Sequence, residues 1–209
     1  MSNRAKPDHW TIKAKKMGYP ARSVFKLEEI QKKWTVMKRG GAILDVGAAP
    51  GSWSLYALRS TGPKSHVVAV DLKPLGIKAP SGHKLHFLQG DVFTRESAEF
   101  LASFGPYDCV LSDAAPSTSG NRLIDARKSY DLVMRVLDLA CAHLGKGGNL
   151  VVKVFQGGDE AEIRDRIKSL FKEARTFKPK AVRSESMETY MVGIGFLGEK
   201  GSEVPKNPV

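Results

Sequence analysis

A lysine stands in the middle of an apolar run, Leu150-Val-Val-Lys153-Val-Phe155. Burial disfavours the charged form of an amine, so such a lysine either reaches solvent at the strand end or handles a proton. Asp113 closes a second apolar run, Tyr107-Asp-Cys-Val-Leu-Ser-Asp113, while Lys26 and Glu188 offer another amine and another carboxylate. A positive neighbour such as Lys26 would favour the neutral, proton-accepting state of Lys153, whereas carboxylates at 113 and 188 would oppose it while orienting the amines. Taken alone, Lys26 is by default an exposed helix charge.

A second group of residues points to a nucleotide-like ligand. The first apolar run ends in Asp45-Val-Gly-Ala-Ala-Pro-Gly-Ser-Trp53 and leads into a helical pattern. Gly47 and Gly51 let the backbone turn sharply and come close to a ligand, and the helix N-terminus adds partial positive charge. The three-glycine fingerprint of dinucleotide sites is incomplete, with Ala49 and Ser52 at the other positions, which argues against a dehydrogenase. Asp71, about 20 residues past the turn, is placed to accept hydrogen bonds from ribose hydroxyls, and Asp91 to reach an adenine edge. Each aspartate read singly is equally a cap or turn residue. Together with Gly51 and Trp53 they favour an adenosyl ligand.

These residues need elements to hold them. Short apolar runs at 42–46, 66–71, 85–89, 107–112, 149–155 and 188–197, with a weaker one at 174–178, read as strands. Amphipathic stretches at 53–59, 95–104, 124–144 and 160–173 read as helices, the third closed by Gly145-Lys-Gly-Gly. Such alternation predicts a doubly wound α/β domain with a mostly parallel sheet and helices on both faces. Before it, Ser23 can cap a helix with an apolar stripe of Val24, Leu27, Ile30 and Trp34 and with Glu28/Lys32 and Glu29/Lys33 pairs.

The 209 residues fit one domain, expected over 23–197, with an irregular basic arm over 1–22 and a disordered tail over 198–209. Of the formal net charge of +11, +8 falls in residues 1–39, a footprint suited to a polyanion such as nucleic acid. Arg4, Lys6, Lys13, Lys15, Lys16 and Arg22 are the expected RNA phosphate contacts. Trp10 and Tyr19 beside them either stack on an unpaired base or pack onto the domain. Cys109 and Cys141 have no metal-ligand spacing and suit a reducing compartment. No apolar run is long enough for a membrane span. A cytoplasmic monomer is expected, with no membrane partner and no metal.

The chain resembles the FtsJ family of RNA ribose 2′-O-methyltransferases, most closely its bacterial large-subunit (23S) rRNA branch. The resemblance rests on Arg22-Ser-Val-Phe-Lys26-Leu, Asp45-Val-Gly-Ala-Ala-Pro-Gly-Ser-Trp53, Leu88-Gln-Gly-Asp91, Ser112-Asp-Ala-Ala-Pro-Ser-Thr-Ser-Gly120, Val152-Lys-Val-Phe-Gln-Gly157 and Ser186-Met-Glu-Thr-Tyr190, in that order. It implies a Rossmann-like seven-stranded sheet with a final antiparallel strand and S-adenosylmethionine as methyl donor. It also implies a Lys26, Asp113, Lys153, Glu188 tetrad with Lys153 as proton acceptor, and donor binding by Gly51, Trp53, Asp71, Asp91 and Asp113. The Ser-x-Glu-x-Tyr pattern selects Glu188 over Glu185. Ser52 replaces a glycine common in relatives. The implied substrate is a uridine of 23S rRNA in the large ribosomal subunit. Transfer RNA or an mRNA cap is the nearest alternative substrate, and a non-catalytic ribosome-assembly protein the alternative role.

Overall fold

The computed structural model describes residues 8–157, 159–183 and 186–198. Five strands, β1 (Ala42–Val46), β2 (His66–Asp71), β3 (Lys84–Gln89), β4 (Tyr107–Ser112) and β5 (Leu144–Phe155), pair in parallel. Two more, β6 (Phe171–Phe177) and β7 (Glu188–Phe196), complete a sheet of order β3-β2-β1-β4-β5-β7-β6, with β7 antiparallel to both neighbours. The doubly wound sheet with a reversed last strand thus stands as expected.

Alternation along the central strands sends successive residues to opposite faces. Leu44 and Val46 pack with α4 (Arg95–Ala102), α5 (Arg122–His143) and α6 (Glu160–Leu170) through residues such as Leu101, Leu137 and Ile167. Ile43 on the other face meets Leu27 and Ile30 of α2 (Val24–Trp34) and Ala57 and Leu58 of α3 (Ser52–Thr61). β1 and β4 are buried on both sides, which is why they read as continuous apolar runs. Because β1 has β2 on one side and β4 on the other, the chain leaves these two strands in opposite directions and opens a crevice at their carboxyl ends.

Several local expectations change. Residues 9–16 form a helix, α1 (His9–Lys16), rather than an irregular stretch, because Asp8 accepts from the backbone and hydroxyl of Thr11 and caps it. Trp10, Tyr19 and Ala14 then pack with Phe25 and Leu55, the packing alternative for both aromatics. Ser23 precedes α2 without a side-chain cap; its carbonyl instead accepts from the Trp53 indole at 2.9 Å. Glu28 pairs with Lys32, but Glu29 accepts two backbone N–H groups, from Lys180 and Ala181, and Lys33 lies over Trp34 and Phe177. The Gly145–Gly148 segment follows α5 but lies inside β5 as a bulge, since the register against β4 jumps between Leu144 and Asn149. Helix α6 ends at Leu170, three residues early, where Phe171 begins β6. Residues 199–209, the expected tail, lie outside the described residues apart from its first glycine.

Candidate active site

Lys26, Asp113, Lys153 and Glu188 come from four separate elements, and the fold brings them together. Antiparallel pairing of β5 with β7 sets Lys153 opposite Tyr190 and Phe155 opposite Glu188. Residues 188 and 190 are two apart and share a face, the one against which α2 packs, so Lys26 from the first turn of that helix meets Glu188. Asp113 follows directly on β4, next to β5.

A continuous polar chain results. Lys153 Nζ donates to the backbone carbonyl of Asp113 and lies 3.2 Å from its Oδ1. The Tyr190 hydroxyl is 2.7 Å from Asp113 Oδ1 and 2.5 Å from Glu188 Oε1, and Lys26 Nζ is 2.5 Å from the same glutamate oxygen. The four charged side chains are only 10–18% exposed. Buried ion pairs of this kind add little net stability, yet loss of one partner leaves an uncompensated charge at a cost of about 3–5 kcal/mol.

Tyr190 is the residue that the sequence reading quoted in a motif without giving it a role. Burial first, and the two carboxylates after it, hold its phenol well above the ordinary range, so it stays protonated. One phenolic proton faces two carboxylates, which ties the Lys153–Asp113 and Lys26–Glu188 pairs into one unit. The two-residue spacing of Glu188 and Tyr190, which puts both on one face of a strand, was the available signal.

Beside this cluster lies a cavity of about 560 Å³, bordered by Gly47, Asp71, Asp91, Asp113 and Lys73. Asp71 Oδ2 accepts from Ala49 N–H and its Oδ1 from Lys73 N–H, both at 2.8 Å, which fixes the loops around it; Asp91 accepts from Phe93 N–H. The aspartates therefore act as turn residues and line the cavity as well. Gly47, at φ +74°, has room for no side chain: a Cβ would come within 2.6 Å of Ala114 Cβ, so the loops after β1 and β4 close on each other. Asp45 is wholly buried; Oδ2 accepts from Ser54, and Oδ1 has no hydrogen-bond partner among the described residues. Burial raises its carboxyl to about 7, with Asp113 and Asp71 adding to the rise. The three carboxylates on the wall suit a cationic ligand of nucleoside size.

Gly51 and Trp53 stand apart from the wall of this cavity. Gly51, at φ +108°, begins α3, and a Cβ there would strike Ile77 at 2.6 Å. The Trp53 indole is spent on the Ser23 carbonyl, locking α2 to α3. Ser52, the departure from glycine, has a use of its own: its hydroxyl bridges the backbone N–H and carbonyl of Ala21 at 2.8 and 3.1 Å. Among the basic residues, Arg22 pairs with Asp8, Lys13 lies over Phe25 and Trp10, and Lys15 and Lys16 are exposed. Arg4, Lys6 and Glu185 lie outside the described residues.

Comparison with known proteins agrees with this architecture. The profile of the FtsJ-like methyltransferase family matches residues 19–196. A protein of Treponema denticola named ribosomal RNA large subunit methyltransferase E is 46% identical over 194 residues, covering 93% of this chain and 97% of its own. Its namesake in Oleidesulfovibrio alaskensis is 45% identical, covering 91% and 92%. A crystal structure of a ribosomal RNA methyltransferase of Plasmodium falciparum superimposes with a TM-score of 0.76 at 28% identity, over 86% of this chain and all of that one. The protein belongs to the FtsJ-like methyltransferase family.

Proposed function

We propose that the protein methylates the 2′-hydroxyl of a ribose, a uridine of 23S rRNA in the large ribosomal subunit, with S-adenosylmethionine as donor. The observation that carries this reading is the amine of Lys153, held by the carbonyl and carboxylate of one residue, Asp113, at the edge of an acidic nucleoside-sized cavity. The names of the similar proteins support ribosomal RNA as the substrate class.

A neutral amine has two N–H groups and one lone pair. Lys153 donates one hydrogen bond, to the Asp113 carbonyl, and lies 3.2 Å from the carboxylate of the same residue; in its neutral state the lone pair would take the proton of an incoming hydroxyl. Lys26, held against Glu188, and the phenol of Tyr190 keep Asp113 and the amine in position. Asp71 would hold the donor's ribose hydroxyls and Asp91 its adenine edge. Asp113 would face its positive end, with the backbone at Gly51 and Trp53 completing the binding loop. When bound, the donor supplies a sulfonium methyl open to in-line attack. The 2′-oxygen gains the methyl as its O–H proton passes to Lys153, and the donor leaves as S-adenosylhomocysteine. The proposed steps use no metal.

We further propose residues 23–197 as the catalytic domain and 1–22 as an RNA-contacting arm bearing Arg4, Lys6, Lys13, Lys15, Lys16 and Arg22, in a cytoplasmic monomer. No helix among the described residues is long and apolar enough to cross a membrane. The test is transfer of labelled methyl from S-adenosylmethionine to large subunits whose RNA lacks the modification, followed by alkaline hydrolysis. Alkaline cleavage needs a free 2′-hydroxyl, so label at one alkali-resistant linkage is the expected result. Label on a base would overturn the ribose mechanism, and label on transfer RNA or capped RNA alone would overturn the substrate.

A further inference from the structure

A second depression, of about 480 Å³, shares no wall residue with the donor cavity yet abuts the same glycine turn. Ile77, on its wall, is the side chain that a Cβ on Gly51 would strike, and Gly76 N–H donates to the Pro50 carbonyl at 3.0 Å. Lys15 from α1, Arg59 from α3 and Lys78 from the β2–β3 loop converge on it, and its wall contains no carboxylate. Among the described residues none of the three cations is in an ion pair, unlike Lys26 and Lys153.

Arg59 is held in place by neutral groups. Its Nη1 donates to the Met17 carbonyl at 2.9 Å, and its guanidinium stacks on Tyr19 at 4.7 Å. Gly18, at φ +73°, lets the chain turn there, where a Cβ would sit 3.5 Å from Nη2. An arginine fixed by a carbonyl and a ring keeps its full charge for a ligand. Three like charges gathered without an anion repel one another, and a polyanion is the partner that turns this into attraction. Tyr19 is only 7% exposed and its ring is covered by Arg59, so the pocket is suited to a phosphate and sugar more than to a stacked base.

From this pocket the chain runs directly to the catalytic cluster. Residues 19–26 span at most about 25 Å, and the stretch is stitched to the start of α3 by Ser52 on Ala21 and Trp53 on Ser23. We propose that the pocket binds a phosphodiester of the substrate RNA a few nucleotides from the target ribose and so sets the register of the strand at Lys153. This inference rests on the RNA methyltransferase reading above.

The test measures affinity for unmodified large-subunit rRNA, and its dependence on salt, for wild type, Lys78→Ala and the double variant Lys15→Ala/Lys78→Ala. Both lysines are exposed, so folding should survive, and donor affinity and Tm should match wild type. Lys78→Ala should weaken RNA binding by roughly 3- to 10-fold and reduce the slope of log affinity against log salt by about 0.7–0.9; the double variant should lose about twice that slope. Unchanged affinity and slope in the double variant, with wild type methylating RNA normally, would overturn the pocket while sparing the methyltransferase reading. Wild type that neither binds nor methylates RNA overturns both. Saturable binding of adenosine monophosphate, abolished in the double variant while RNA affinity stays put, would assign the pocket to a free nucleotide and overturn the proposal too.

Discussion

Two places in this protein gather basic side chains, and they treat the charges in opposite ways. At the catalytic cluster, the side chains of Lys26 and Lys153 are only 10% exposed and each lies within 3.2 Å of a carboxylate oxygen, with Tyr190 joining the two carboxylates. At the pocket around Arg59 the cations are exposed; a carbonyl and a ring hold Arg59, and the pocket wall carries no carboxylate among the described residues. Charges in the first region are positioned against one another, so removing one leaves another stranded in low dielectric. Charges in the second act on a ligand and should contribute independently. Large, non-additive losses of rate belong to the first region; small, additive losses of affinity belong to the second.

The largest break of this contrast is expected from Lys153→Ala. Methyl transfer should fall by about 10²- to 10⁴-fold, as for loss of a proton acceptor, with RNA affinity within roughly twofold of wild type. Single-turnover rates and RNA binding on the same preparation check it. Next comes Tyr190→Phe, which removes the phenolic proton between Asp113 and Glu188. We expect kcat to drop by roughly 10-fold or more and stability to fall by about 1–3 kcal/mol, readable by kinetics and thermal melting, with the salt slope of RNA binding unmoved.

Asp45 sharpens the comparison from the core, since it is a buried carboxyl with no ion-pair partner among the described residues. Its carboxyl rises from 3.8 to about 7 in the folded protein. Between these values the unfolded chain has released a proton that the native state keeps, so stability falls as pH rises from about 4 to 7 and then levels off. Asp45→Asn removes this titration while an amide oxygen can still accept from Ser54. In the absence of donor the variant should gain on wild type by roughly 2–3 kcal/mol between about pH 5 and 8, measured by denaturant unfolding. A constant difference across that range would contradict this account of Asp45. The smallest effect is expected outside both regions: Glu29→Ala removes the acceptor of the Lys180 and Ala181 backbone N–H groups and should lower stability by about 1 kcal/mol with kcat unchanged.

How much of this was legible in the sequence depended on the range of the interaction. The central strands, Lys153 and Asp113 were readable because a lysine within an apolar strand and an aspartate at a strand end break the local pattern, whereas Lys26 and Glu188 stood out only through the resemblance. The resemblance then supplied their grouping. Helix α1 was missed because its amphipathic pattern is weak over eight residues, and its order comes from a cap at Asp8 and packing against Phe25. Glu29 illustrates the same limit, since its partners lie about 150 residues away. Tyr190 was visible as a motif letter, but its bridging role needs the β5–β7 register. The pocket at Arg59 joins an arm, a helix and a loop, so no local spacing could reveal it.

The central claim is that Lys153 accepts a proton, and the most direct measurement is single-turnover methyl transfer by Lys153→Arg. Arginine keeps a positive charge beside Asp113 but cannot serve as a neutral base near physiological pH. If Lys153 is the acceptor, the arginine variant should bind donor and RNA yet lose at least about 10²-fold in rate. Transfer within a few-fold of wild type would mean that position 153 acts through charge alone, and would contradict the mechanism.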